Sequence, residues 1–299
     1  MQPKPFRNPD GIINAVIRIC GYSSILFVTL IFLFLMGEGL PALRVASLKE
    51  LFGTTWYPNE AYYGILPLIF GSVLVTMGAM LVALPFGIAT AVFISEVAPR
   101  WAKEFLKSLV EILAGIPSVV LGFIGILVVV PALRRLFDLP TGLTGFTGAL
   151  LLGLIAIPTV VSIAEDALNT VPVSYRHASL ALGATHWQTI WGVTVPAARS
   201  GILTALMLGV GRALGETMAV MMVTGNAPVM PGGLDALFQP VRTMTATIAS
   251  EMGEVASGSA HYQVLFFIGV LLFLVSLLIN VAASTVIFQR RGRSERVLS

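Results

Sequence analysis

Long runs of uncharged, mostly apolar residues recur along this sequence and limit what it can fold into. A helix needs about 20 residues to cross the hydrocarbon core of a bilayer. A transmembrane β-barrel is excluded, because barrel strands alternate over about ten residues whereas these runs are apolar all round. The runs comprise residues 19–37, 61–95, 112–133, 139–164, 200–235 and 262–289, the fifth being interrupted by Arg212 and Glu216 and ending at an Asp.

Charged residues make up 11% of the 299 residues, against roughly a quarter in an average soluble domain. We therefore predict an all-α membrane protein with about six transmembrane helices. One domain is expected over residues 1–299, with tails at about 1–12 and 290–299. The second run exceeds one span and contains Pro67 and Pro85, so it forms either one tilted helix or a helix with an interfacial segment.

Lys and Arg residues are distributed unequally between the connecting segments. With the N-terminus placed in the cytoplasm, the inner segments hold twelve of them and the outer segments five. Short loops rich in Lys and Arg stay in the cytoplasm, so both termini are predicted to be cytoplasmic. Because these residues flank apolar runs, membrane lipid rather than nucleic acid is the expected partner. Trp56, Tyr57, Tyr62 and Tyr63 are typical of headgroup-level anchors.

The sequence lacks the usual elements of a nucleotide site or an enzyme active site. A phosphate-binding P-loop requires Gly followed by Lys, and that pair is absent. His177, His186 and His261 show no metal-ligand spacing. The single cysteine, Cys20, can form neither an internal disulfide nor a cysteine metal site. The chain is predicted to be no enzyme, with no metal and no cofactor of its own.

Two ionisable residues, Arg212 and Glu216, lie within the fifth run, where each costs at least about 2.5 to 3.5 kcal/mol to insert. As helix positions i and i+4 they share a face, so each can neutralise the other. One interpretation is an ion pair that fixes helix packing. The other is a guanidinium that binds an oxyanion, held and gated by the carboxylate. Gly211 and Gly215 form a small-xxx-small pair that lets another helix approach closely.

Residues 169–196, between the fourth and fifth runs, carry the signals of two short helices joined by a bend. Asn169 can cap a helix, Pro172 suits a first helical turn and Gly183 permits a sharp turn. On physical grounds alone this segment is either a docking element or a loop of interfacial helices, with its tryptophans at headgroup level.

Residues 175–196 resemble the EAA loop of ABC-importer permeases, which docks in a groove of the ATPase subunit. Ala178, Gly183 and Pro196 occupy positions of that pattern, whereas His177 stands where Glu or Asp is usual and Ser179 where Ala is usual. The resemblance implies an ATPase contact on this segment. The residues expected to make it are Arg176, His177, Ala178, Ser179, Leu182, Gly183 and Ala184.

Three further segments are similar to the phosphate-specific branch of this family, namely residues 115–120, 211–220 and 246–254. The similarity implies a type I ABC-importer permease fold in the bacterial inner membrane, translocating inorganic phosphate by alternating access. The implied partners are a second related permease subunit, two ATPase subunits that hold ATP and Mg, and an extracytoplasmic phosphate-binding protein.

The resemblance also implies roles for individual residues. Arg212 and Glu216 are expected on the route of the anion or at its gate. Ser118, beside a Gly and Pro interruption, either meets the anion or only marks a helix kink. Glu251 and Glu254 are expected at an outer gate or in a solvated loop. For the whole chain, the alternatives are a permease for another oxyanion or an amino acid, and a membrane sensor or scaffold that does not transport.

Overall fold

The computed structural model describes residues 9–233 and 235–295. Five of its helical segments are long and apolar enough to cross a membrane, and a sixth is obtained when two helices bent by 68° are counted as one span. The predicted all-α membrane architecture with about six spans is confirmed. The five are Ile13–Val45, Leu66–Val97, Ser118–Leu136, Gly145–Asn169 and Ala260–Ala282, and the bent pair is His186–Ala197 with Arg199–Gly215.

Within the described residues, helices account for nearly all of the regular structure, and the one sheet is a small antiparallel hairpin. The predicted tails fall partly outside the described residues, since the first helix begins at Pro9 and the last extends to Glu295. The hairpin consists of β1 (Trp56–Tyr57) and β2 (Tyr62–Tyr63). The helices are α1 (Pro9–Gly39), α2 (Ala42–Val45), α3 (Leu48–Leu51), α4 (Leu66–Val92), α5 (Arg100–Gly115), α6 (Ser118–Ile124), α7 (Val130–Leu136), α8 (Gly145–Asn169), α9 (Val173–Ala181), α10 (His186–Thr189), α11 (Val195–Ala197), α12 (Arg199–Gly215), α13 (Met218–Val223), α14 (Met244–Glu251) and α15 (Ala260–Glu295).

A close contact between α4 and α8 forms the centre of the bundle, and α12 packs against both. A Cβ atom added at Gly153 of α8 would lie 2.9 Å from Val82 Cβ and 3.0 Å from the Ala79 carbonyl oxygen of α4. Lipid tails are as apolar as leucine, so dispersion contacts between closely approaching backbones hold membrane helices together. Helices α1 and α15 pack against each other at the periphery.

The third apolar run does not fold as one span. Residues 112–115 belong to α5, an amphipathic helix that starts at Arg100, and the spanning helix begins only at Ser118. Pro117 explains the interruption, because a proline disfavours the helical conformation of the residue before it. Ile116 accordingly has φ −69° and ψ 127°.

The second apolar run forms a two-residue hairpin strand and then one long helical segment from Leu66 to Val97, so nearly all of the run is a single helix. Tyr57 and Tyr62 are exposed, as expected of anchors. Trp56 is only 1% exposed and Tyr63 is also buried. The prediction that these two residues are headgroup-level anchors is therefore wrong, because they are paired across the hairpin and pack inward from the same face.

We expect Gly153→Ala to lower the midpoint of thermal unfolding of the purified chain in detergent, because the new methyl group meets the α4 backbone at 3.0 Å. Overpacking of this kind costs about 1 to 3 kcal/mol. Gly21→Ala in α1 is the matched control, since a Cβ there meets nothing within 4 Å. Equal midpoints for the two variants, measured by tryptophan fluorescence, would contradict the proposed role of this contact.

Candidate functional site

The fifth span is interrupted at Glu216. Helix α12 ends at Gly215, and Glu216 has φ −70° and ψ 130°, which is extended backbone. Its carboxylate Oε1 accepts hydrogen bonds from the backbone N–H groups of Thr217 at 3.1 Å and Ala219 at 3.4 Å. The carboxylate thus provides a hydrogen-bond acceptor for backbone N–H groups at the start of α13. The predicted helical pair of Arg212 and Glu216 is wrong, because Glu216 has left the helix.

Arg212 is exposed on α12, and its side chain forms no hydrogen bond or ion pair within the described residues. Leu208, one turn earlier, is exposed as well. A Cβ added at Gly211 or Gly215 would meet nothing within 4 Å, so the close helix approach expected there does not occur within the described part of the chain. Because an unpaired guanidinium at membrane depth is costly in lipid, this face of α12 requires another protein chain or water.

Hydroxyl groups of α14 and α4 form hydrogen bonds beside Glu216. Thr245 Oγ1 donates a hydrogen bond to the Glu216 carbonyl oxygen at 3.1 Å, and Ser72 Oγ accepts one from the Met244 N–H at 2.9 Å. The cavity that remains among these side chains has a volume of only about 10 Å³, which is room for about one water molecule. An oxyanion does not fit there in this conformation.

A second interruption lies at Ile116 and Pro117, between α5 and α6. Ser118 is partly buried at the start of α6. Four residues later, a Cβ added at Gly122 would lie 3.0 Å from the Ala219 Cα and 2.8 Å from the Met222 sulfur. The helical halves that follow the two interruptions therefore pack directly on each other.

Residues 169–196 fold as a helix, a bend and a second helix, as predicted; we call α9, the bend and α10 the elbow. Gly183 has φ +84°, a conformation that favours glycine. Thr185 and Gln188 form a capping box at the start of α10. Leu182, beside the bend, is 89% exposed. An apolar side chain this exposed is the main feature of the elbow surface.

The seven elbow residues expected to contact an ATPase do not share one surface. His177, Ala178, Leu182 and Gly183 are exposed, and Ala184 is partly exposed. Arg176 and Ser179 are only partly exposed and bond within the chain instead. Ser179 Oγ lies 3.0 Å from Thr189 Oγ1. The Arg176 guanidinium forms an ion pair with Glu96, with Nη2 2.7 Å from Oε1, so this cation already has a partner within the chain.

At the opposite end of the bundle, Glu251 is the centre of a second polar cluster. Its Oε1 lies 2.8 Å from Arg242 Nη2 and accepts a hydrogen bond from Trp56 Nε1 at 3.2 Å, while its Oε2 lies 2.8 Å from His261 Nε2. Arg242 also donates to Ser250 Oγ at 3.1 Å. The cluster joins the hairpin, α14, α15 and the loop before α14.

A cavity of about 560 Å³ opens beside this cluster and is lined by Arg242, Glu251 and His261 among other residues. Glu254 also lines it, but is exposed, and its side chain has no hydrogen bond to the described residues. The two acidic residues predicted for this region therefore differ in their environment. Glu251 is held by three partners, and Glu254 is a solvated side chain.

Sequence reasoning missed the polar residues that tie the helices together, Glu96, Lys107 and Glu165. Glu165 is 3% exposed and lies 3.1 Å from Lys107 Nζ. This hydrogen bond and the attraction of the carboxylate raise the pKa of the Lys107 ammonium. A signal was present, since Lys103 and Lys107 on one helix and Glu165 and Asn169 on another share a spacing of four residues.

Residues 83–293 match the family described as the binding-protein-dependent transport system inner membrane component. The chain is 40% identical over 268 residues to the probable ABC transporter permease protein YqgH of Bacillus subtilis, covering 88% of this chain and 86% of that protein. It is 33% identical over 276 residues to the phosphate transport system permease protein PstC of Xylella fastidiosa, with coverages of 86% and 83%. For PstC of Mesorhizobium japonicum the identity is 32% over 308 residues, with coverages of 97% and 93%.

Two solved structures are similar in fold. The inward-facing MetNI methionine ABC transporter gives a TM-score of 0.55 at 19% identity, covering 75% of this chain and 93% of that one. A bacterial ABC transporter involved in the import of the acidic polysaccharide alginate gives 0.57 at 16%, covering 93% and 98%. The chain belongs to the binding-protein-dependent ABC importer permeases, multi-pass inner-membrane subunits with the type I importer fold whose ATPase activity lies in separate subunits.

Proposed function

We propose that this chain is a permease subunit through which inorganic phosphate crosses the inner membrane, driven by ATP hydrolysis on partner subunits. The observation that carries the proposal is Arg212, an exposed guanidinium on a membrane helix with no polar partner among the described residues. A guanidinium offers a planar set of donors that matches the oxygens of phosphate. The similarity to PstC proteins over more than four fifths of the chain supports phosphate among the oxyanions.

The phosphate route runs along the exposed face of α12, between this chain and a second related permease subunit. The small cavity beside Glu216 supports this location, because it leaves no room for an anion inside the chain. Glu216 acts at the gate. Its carboxylate holds the start of α13, so a shift of α13 against α12 repositions a negative charge beside the route. Ser118 is the first residue of the neighbouring helix α6 and contributes a hydroxyl group to the route.

Alternating access then follows from contacts at the two ends of the bundle. Two ATPase subunits bind ATP and Mg and dock on the elbow through His177, Ala178, Leu182, Gly183 and Ala184, with Arg176 and Ser179 supporting the elbow from inside. An extracytoplasmic phosphate-binding protein delivers phosphate at the opposite end, where Glu251 and Glu254 line the outer cavity. Both chain termini lie in the cytoplasm, and membrane lipid surrounds the spans.

Phosphate uptake into proteoliposomes that contain the complete complex, the binding protein and internal ATP tests the route. Arg212→Ala should reduce uptake by about tenfold or more, since a hydrogen bond to a charged group contributes about 1.5 to 3 kcal/mol. Glu216→Gln, which keeps an oxygen acceptor for the α13 backbone, should reduce uptake less than Glu216→Ala.

Leu208→Ala is the matched control for Arg212→Ala, because Leu208 lies one turn earlier on α12 and is also exposed. Unchanged uptake in Arg212→Ala would return that residue to a packing role. A wild-type complex that moves another oxyanion or an amino acid, but not phosphate, would refute the substrate. A wild-type complex that moves nothing would favour a sensor or scaffold.

The elbow contact is tested by Leu182→Ser. Leu182 is 89% exposed, so a partner groove that covers it removes nearly its whole side chain from water. Complete burial of a leucine side chain stabilises a complex by about 1.5 to 3 kcal/mol. We expect co-purification of the ATPase subunits to fall sharply. Leu136→Ser, which alters a 74% exposed leucine at the other end of the bundle, should leave co-purification unchanged. Equal losses in the two variants would argue against docking through Leu182.

Thermal unfolding distinguishes the two outer carboxylates. Glu251→Ala should lower the unfolding midpoint, because Arg242, Trp56 and His261 lose a shared acceptor and an unsatisfied buried donor costs about 1 to 3 kcal/mol. Glu254→Ala should leave the midpoint within error of the wild type. A destabilised Glu254→Ala variant would show that Glu254 has a structural role in addition.

A further inference from the structure

A network of charged and amide side chains crosses the end of the bundle that carries the elbow. Glu165 of α8 accepts hydrogen bonds from Lys107 Nζ of α5 at 3.1 Å and from Asn169 Nδ2 of its own helix at 2.7 Å. The Asn169 Oδ1 atom in turn accepts one from Lys103 Nζ at 3.2 Å. Two lysines of α5 are therefore held by the last turns of α8.

The network continues to Phe93–Val97, the π-helical turn that directly continues α4. Ser95 Oγ lies 3.0 Å from Asn169 Oδ1 and 3.3 Å from Glu96 Oε1, so its single proton can serve either acceptor. The Glu96 side chain is only 5% exposed. A carboxylate this buried requires a cation and further donors, and they come from the elbow.

Arg176 of α9 supplies that cation. Its Nε and Nη2 atoms donate to the two Glu96 oxygens at 3.2 Å and 2.7 Å, while Nη1 donates to the Val171 carbonyl at 2.8 Å and Nη2 to the Leu168 carbonyl at 2.9 Å. A bidentate pair of this kind fixes direction as well as distance. The elbow is thereby clamped to α4 and to the C-terminal end of α8 at once.

Helix α5 is joined to α8 through the two lysines of this network. None of its residues is buried, and Leu106 and Val110 are only partly buried against the neighbouring helices. Apolar contact therefore holds α5 weakly, and the lysine contacts supply directional attachment. Gly115, the last residue of α5, is eight residues beyond Lys107, or about 12 Å along the helix, and it directly precedes the interruption at Ile116 and Pro117.

We infer that Lys107, Glu165, Glu96 and Arg176 are positioning residues that make α5 move together with the elbow, so that a displacement of the elbow by the ATPase reaches the interruption before Ser118. The inference rests on the proposed function only in requiring that the elbow contacts the ATPase. It assigns Arg176 to coupling through the bundle interior. No residue of the network is required to touch phosphate.

Simultaneous measurement of phosphate uptake and ATP hydrolysis in the complete reconstituted complex tests the inference. In Lys107→Met and in Glu165→Gln, phosphate moved per ATP hydrolysed should fall at least about fivefold, while ATP hydrolysis stays within about twofold of the wild type. Glu104→Gln is the matched control, because Glu104 lies on the same helix, is exposed and has no hydrogen bond to the described residues.

A second measurement follows the motion itself and does not depend on phosphate. Spin labels at Glu104→Cys and Ser174→Cys, in a Cys20→Ser background, report the distance between α5 and the elbow. We expect one narrow distance distribution in the wild type both without and with ATP, and a broad one in Lys107→Met. Intact coupling together with a narrow distribution in Lys107→Met would overturn the inference. A wild-type complex that moves no phosphate but keeps the narrow distribution would refute the substrate and not the coupling.

Discussion

The bilayer offers no water to polar groups at membrane depth, and this constraint explains where the polar atoms of the chain are found. Backbone groups freed at a helix interruption must find partners within the protein. At Glu216 the carboxylate accepts from the backbone of the next helix, and Thr245 donates to the freed carbonyl. The interruption is thereby made stable by side chains that would cost free energy in lipid if left alone. Arg212 is the conspicuous exception among the described residues, which is why it points to a surface that another chain or water must cover.

At both ends of the bundle, largely buried carboxylates that accept several hydrogen bonds hold helices together. At one end Glu251 accepts from Arg242, Trp56 and His261. At the other, Glu96 and Glu165 accept from Arg176 and Lys107. Each carboxylate is held by a cation from a different part of the chain. Dispersion contacts between lipid-facing helices specify position only approximately, whereas a bidentate or multiply bonded carboxylate specifies one arrangement.

Close packing of helix backbones and polar contacts between helices occur in different parts of the bundle. The centre of the bundle, where α4 and α8 approach at Gly153, depends on small residues and excludes other groups. The elbow and the cavity beside Glu251, where partner proteins are proposed to dock, are built around polar contacts to Glu96 and Glu251. These polar contacts can be rearranged without opening the core, so the positions suited to movement lie at the two ends of the bundle. The helices that follow the interruptions at Pro117 and Glu216, α6 and α13, pack directly on each other.

The fold class and the family were predictable because they depend on local properties. Long apolar runs require helices in lipid, Gly183 at a bend is recognisable from its conformational freedom, and the elbow pattern together with the segment around Arg212 identified the importer permeases. The interruption at Pro117 had a local cause too, but the uncharged run around it concealed where one helix stops and the next begins.

Tertiary structure alone decided which charges meet. Arg212 and Glu216 are four residues apart, and spacing alone predicts an ion pair, yet the carboxylate binds the backbone of the helix that follows it. Trp56 and Tyr63 resemble interfacial anchors in composition but are buried by the hairpin and α15. Arg176 pairs with a glutamate 80 residues away. Sequence spacing determines which residues share a helix. The partner of a buried charge depends instead on how distant helices pack, because a buried charge avoids the cost of being unpaired by binding whichever complementary group lies within reach.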